Sequence, residues 1–150
     1  MKKIYLLLIA LCLVACTTKK TEDVAIELQP NKGEVVGITL NEVNQMVEDE
    51  DSFVVIFSQT YCGSCMSFFS QTDAYTTEVG LTLYDVTLDK EERSESENLE
   101  MMKEHFSGFQ TTPTIYVVSK GEIVATLDSS EEEPTLEAYK TLLKESGVSK

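Results

Sequence analysis

The stretch "FVVIFSQTYCGSC" places two cysteines, Cys62 and Cys65, two residues apart, directly after an apolar β-branched run. Two thiols at this spacing could bind a metal, close a small loop or exchange electrons. Phe53 to Phe57 has the composition of a buried strand, and a helix is expected to begin at the cysteines. A helix N-terminus aims unpaired N–H groups and a partial positive charge at Cys62, which favours the thiolate. Cys65, one turn further in, could attack a mixed disulfide formed on Cys62 and release the partner. Gly63 and Ser64 keep the intervening turn small.

The alternatives differ in what they need. A two-residue loop restrains little of the unfolded chain, so the pair is a poor structural staple. Zinc takes about four ligands, and here only Cys62, Cys65 and a distant His105 are on offer. Soft copper(I) binding by Cys62, Cys65 and Met66 stays open, and with it a binding lipoprotein that handles copper(I) or holds a substrate without turnover. No phosphate-binding glycine loop, Ser/His/Asp set or zinc-protease motif is present, and no bound cofactor or metal is expected.

The 150-residue chain suits a single domain. With 12 basic and 26 acidic residues its net charge is −14. Such a polyanion repels nucleic acid and anionic lipid surfaces, which removes both as partners. A monomer is expected. Met1-Lys2-Lys3 and the apolar run Ile4 to Ala15 read as the start of an export signal, too short for a comfortable membrane span. "LVAC", Leu13 to Cys16, resembles the lipobox of bacterial lipoproteins. That resemblance implies removal of residues 1–15, a lipid on Cys16 and a place on the outer face of the cell membrane, with the lipid as the sole membrane contact. Cys12 would leave with the leader, so Cys62 and Cys65 would have only each other in an oxidising compartment. Residues 16–37 read as a tether, with an added N-terminal strand as the alternative, and residues 38–150 as the domain.

The elements expected within the domain alternate. Thr39 to Glu42 and Ser94 to Glu97 fit capping boxes that open helices. The second of these would carry Leu99, Met102 and Phe106 on one side. The cysteine helix should run to about Thr77. Leu81 to Leu88, Thr114 to Val118 and Glu122 to Leu127 read as strands, the last two joined by a tight turn at Lys120-Gly121. Pro134 suits the first turn of a final helix bearing Leu136, Tyr139, Leu142 and Leu143 on one face. The class is α/β, with a central mixed sheet of about four strands flanked by helices.

The strand leading into Cys62-Gly63-Ser64-Cys65, Tyr61 before the first cysteine, Thr112-Pro113 ahead of a later strand, and the "VVSKGEIVATL" hairpin together resemble the thioredoxin superfamily over residues 38–147. The likeness implies a thiol–disulfide oxidoreductase acting on protein or peptide thiols and disulfides, with a separate redox partner. It implies a cis Pro113 packed on the cysteine pair and a docking edge at Thr112. The acid that reductase-type members carry six residues before the first cysteine is Ile56 here. Asp85, on the next strand where a lysine is frequent, is the candidate to take the proton of Cys65. Ser64 stands where reductases usually have proline, and Met66 where a basic residue is frequent. As a small acidic lipoprotein the chain is also similar to thioredoxin-like proteins of Gram-positive bacteria, including those called bacteriocin transport accessory proteins. Replacing Cys16 with alanine should abolish incorporation of labelled fatty acid and release the protein from the membrane fraction; retained label would refute the lipobox.

Overall fold

The computed structural model describes residues 24–149. The expected leader (residues 1–15) and Cys16 lie outside them. Within this range the chain runs β1 (Glu34–Gly37), α1 (Leu40–Glu48), β2 (Phe53–Ser58), α2 (Gly63–Val79), β3 (Thr82–Thr87), a 3₁₀ turn (Leu88–Lys90), α3 (Glu95–His105), β4 (Thr114–Ser119), β5 (Glu122–Asp128) and α4 (Leu136–Glu145). The five strands form one mixed sheet in the order β1-β3-β2-β4-β5. The first three are parallel, and β4 and β5 run antiparallel to them.

β2 is the centre of this sheet, and every one of its residues is buried. Its uninterrupted apolar run suits a strand covered on both faces, and strand alternation splits it between two cores. Val54 and Ile56 face a cluster with Phe68 of α2 and Tyr139, Leu142 and Leu143 of α4. Phe53, Val55 and Phe57 face a second cluster with Leu40 and Val43 of α1, Met102 of α3 and Phe106, which caps the C-terminus of α3. Phe57 is the hub of an aromatic group, with ring centroids 4.9 Å from Phe106, 5.7 Å from Tyr116 and 5.8 Å from Phe109. Burial pushes the Tyr116 hydroxyl up to about 12, reinforced by the charge of Asp128.

Local chemistry sets the helix ends. Thr39 and Ser94 form the two capping boxes with Glu42 and Glu97. α2 stops at Gly80, whose φ of 78° is left-handed and whose missing Cβ would sit 2.0 Å from the Gln29 carbonyl oxygen. Lys120 and Gly121, with φ of 51° and 75°, make the two-residue turn of the β4–β5 hairpin.

The structure departs from the sequence reading in four places. There are five strands, because Glu34–Gly37, assigned to the tether, pairs with β3. Upstream of it Val24 is buried in the α2/α4 core, with Ile26 and Leu28 packed on the same cluster. Three apolar residues at a spacing of two are a strand-like signal, too short to outweigh the polar composition around them. Leu99 is exposed, because α3 turns Met102 and Phe106 inward and leaves Leu99 on the rim of a groove. Pro134 precedes Thr135, which caps α4 with its own hydroxyl and so displaces proline from the first turn. Among the described residues no helix is long and apolar enough to cross a membrane.

Truncating Phe57 to alanine should cost about 3–5 kcal/mol, as for other buried large aromatics. A urea titration should show the midpoint falling with the slope unchanged.

Candidate active site

The end of β2 hands the chain to α2 through Ser58 to Tyr61. This crossing is pinned from below: the Thr60 N–H donates to the Asp89 carboxylate at 2.8 Å, and that bond holds the Asp89 carboxyl below the usual carboxylate range. Cys62 then occupies the N-cap of α2, and its Sγ accepts from the Cys65 N–H at 3.0 Å. A sulfur therefore stands where a serine or aspartate oxygen commonly caps a helix. Cys62 and Cys65 are joined as a disulfide, with their Cα atoms 5.2 Å apart. Cys65 is 2% exposed, whereas Cys62 is half-buried. The pair is thus graded: an accessible outer sulfur and a shielded inner one.

The second wall comes from a segment fifty residues later. The Thr112–Pro113 peptide bond is cis and Pro113 is buried. The Thr112 carbonyl oxygen lies 3.5 Å from Cys62 Sγ. Pro113 breaks the chain just ahead of β4, which pairs with β2 from Thr114 onward. The same sheet register therefore sets both the cysteine turn and the proline turn. Thr112 is held from two further sides, by its hydroxyl donating to Gln59 Oε1 at 3.3 Å and its carbonyl accepting from the Ser129 hydroxyl at 3.0 Å. Tyr61, 94% exposed, and Met66, 60% exposed, flank the cysteines as apolar surface facing water. Gly63 has open space around it.

Asp85 lies on β3, opposite Gly37 and Ile56. Alternation from Leu83 places it on the face that α2 covers. Its carboxylate accepts from the Ser58 hydroxyl at 2.6 Å and the Thr87 hydroxyl at 3.1 Å, and neither cysteine is among its hydrogen-bond partners. Ser58 immediately follows the apolar run of β2, so the Asp85 carboxylate is tied to the strand that leads into the cysteines.

The sequence reading missed the β5–α4 loop, which it took as solvated. Ser64 Oγ donates to Glu133 Oε1 at 2.7 Å, while Ser129 holds Thr112. One loop thus touches both Ser64, between the cysteines, and the proline turn. Ser64 and Glu133 are 69 positions apart. A run of glutamates before a proline carries no sign of that contact.

A family model described as Thioredoxin matches residues 34–141. Among curated proteins no sequence matches. Solved structures share the fold at low identity. A thioredoxin of Malassezia sympodialis is 16% identical with a TM-score of 0.58, over 82% of this chain and 98% of that one. Thioredoxin f2 of Chlamydomonas reinhardtii is 15% identical, also at 0.58, over 78% and 100%. A Schistosoma mansoni thioredoxin is 17% identical at 0.56, over 75% and 97%.

Glu133 sets a negative charge beside a helix end that would otherwise favour a thiolate. In the reduced protein Glu133→Gln should therefore quicken iodoacetamide alkylation of Cys62 at pH 7 by about twofold to threefold, the worth of an exposed charge. The gain should shrink at high salt; unchanged alkylation would show that Glu133 only positions Ser64.

Proposed function

The chain belongs to the thioredoxin family, and from that premise we propose that it is a lipid-anchored, extracytoplasmic thiol–disulfide oxidoreductase acting on protein or peptide substrates. The observation that carries this reading is the cysteine pair itself, with Cys62 accessible at the N-cap of α2 and Cys65 shielded behind it.

In the reducing direction the Cys62 thiolate attacks one sulfur of a substrate disulfide. A mixed disulfide forms and the other substrate sulfur leaves as a thiolate. Cys65, having given up its proton, attacks Cys62 Sγ; the Cys62–Cys65 disulfide forms and the second substrate sulfur leaves. Two electrons pass from the protein dithiol to the substrate, and a separate dithiol must restore the pair. Run backwards, the same steps oxidise a substrate dithiol. The helix N-terminus stabilises negative charge on Cys62 both when it attacks and when it leaves. The Thr112 carbonyl and the cis proline hold the substrate strand beside that sulfur, and Tyr61 and Met66 offer it apolar surface. Asp85 is the proposed acceptor of the Cys65 proton, in an environment where the family's usual acid position is filled by Ile56. The acidic surface and the proposed anchor suit secreted, disulfide-bearing peptides.

Turnover in insulin reduction or in refolding of reduced ribonuclease should vanish in Cys62→Ser. Cys65→Ser should accumulate mixed disulfides. Stoichiometric copper(I) uptake without exchange in either assay would overturn the reading in favour of a binding protein. Within an active protein, Asp85→Asn should slow resolution of the mixed disulfide while leaving Cys62 alkylation unchanged, measured by stopped-flow at pH 7.

A further inference from the structure

Beside the cysteine pair the surface opens into a cavity of about 490 Å³ between the Leu88–Lys90 turn, the start of α3 and residues 109–112. Leu88, Met102 and Phe109 give it apolar walls, and Thr112 forms the side nearest the disulfide, since the Thr112 carbonyl touches Cys62 Sγ. Two polar features decide what suits it.

The first is Asn98, a lining residue only 3% exposed. Its Nδ2 donates to the Leu88 carbonyl at 3.2 Å, which fixes the amide plane. Its Oδ1 is buried and has no hydrogen-bond partner among the described residues. A donor that reaches this oxygen gains a hydrogen bond the fold leaves unmade. The second feature is charge. Asp89, Glu91 and Glu95 line the cavity against a single cation, Arg93. Arg93 is already committed to Glu91 at 3.6 Å and to the Asn41 side-chain oxygen at 3.1 Å. Glu91 also accepts from the Leu40 N–H, and Asp89 from Thr60. The solvent-exposed Glu95 carboxylate takes no hydrogen bond or ion pair from another described residue. Taken together, the lining favours donors and positive charge beside apolar walls. A lysine or arginine side chain has that form, an aliphatic stem with a cationic, donor-bearing head.

We propose that this cavity receives a basic side chain flanking the substrate cysteine that Cys62 attacks, which makes the enzyme selective for cationic peptides. The inference rests on the exchange chemistry above and adds a specificity site to it.

The test uses short peptides whose single cysteine is disulfide-linked to thionitrobenzoate, with lysine, norleucine or glutamate as the flanking residue. Attack by Cys62 on the peptide sulfur forms the protein–peptide disulfide and expels coloured thionitrobenzoate. Each rate is divided by that of dithiothreitol on the same peptide, which removes intrinsic differences in reactivity. Lysine should exceed norleucine by roughly tenfold, the worth of one charge-assisted hydrogen bond, and glutamate should be slowest. In Glu95→Lys the lysine-to-norleucine ratio should fall toward one. Hydroxyethyl disulfide, too small to need the cavity, separates the two ways of failing. Equal rates for the three peptides from a protein that does exchange with this reagent would overturn the cavity proposal alone. No exchange with the reagent would overturn the oxidoreductase reading and the cavity proposal with it.

Discussion

The arrangement depends on a sulfur at the N-cap of α2. Cys62 Sγ accepts the Cys65 N–H there, and the Thr112 carbonyl closes on the same atom from another element. A helix end provides unpaired donors and a partial positive charge whatever the sequence of its neighbours. What is particular to this chain is that the capping atom is a cysteine sulfur, bonded to a second cysteine one turn inside. Removing the cysteine pair from that position would leave two ordinary thiols.

Holding this geometry is the work of the sheet. β2 is buried on both faces, so it can be neither shifted nor rotated without exposing one of two aromatic and aliphatic clusters. β4 pairs with it from the residue after Pro113, which locks the proline turn to the cysteine turn. The active-site segments are otherwise loops, and they are tied down by side chains: Asp89 on Thr60, Gln59 and Ser129 on Thr112, Glu133 on Ser64. Most of these anchors are exposed and polar, so they direct the loops more than they stabilise the fold.

Part of the acidic character of the chain lies at the β5–α4 loop and at the 3₁₀ turn and start of α3. Glu133 meets Ser64 between the cysteines, and Asp89, Glu91 and Glu95 border the cavity next to Thr112. Carboxylates near a thiol oppose its ionisation, while a helix end promotes it, so in the reduced protein the two fields act on Cys62 in opposite directions. The same negative surround attracts cations. Ile56 on β2 is apolar, and Asp85, its partner on β3, is hydrogen-bonded to Ser58 on the face beneath α2.

Much of this was legible along the chain. The apolar run of β2, the two capping boxes, the Lys120-Gly121 turn and the cysteine spacing are local signals, each written within a few residues, because burial on both faces, helix caps and tight turns impose residue types at short range. Thr112-Pro113 was legible as a partner of the cysteines only by family resemblance. The strand at Glu34–Gly37 and the buried Val24 were obscured, since a short strand in polar surroundings is decided by whether a neighbour offers an edge. The contact of Ser64 with Glu133, and the cavity where Asn98 leaves a buried oxygen unpaired, belong to the tertiary structure alone. They join residues far apart in sequence, and no short-range rule of propensity or pattern constrains where such segments meet; only the packed sheet and helices bring them together.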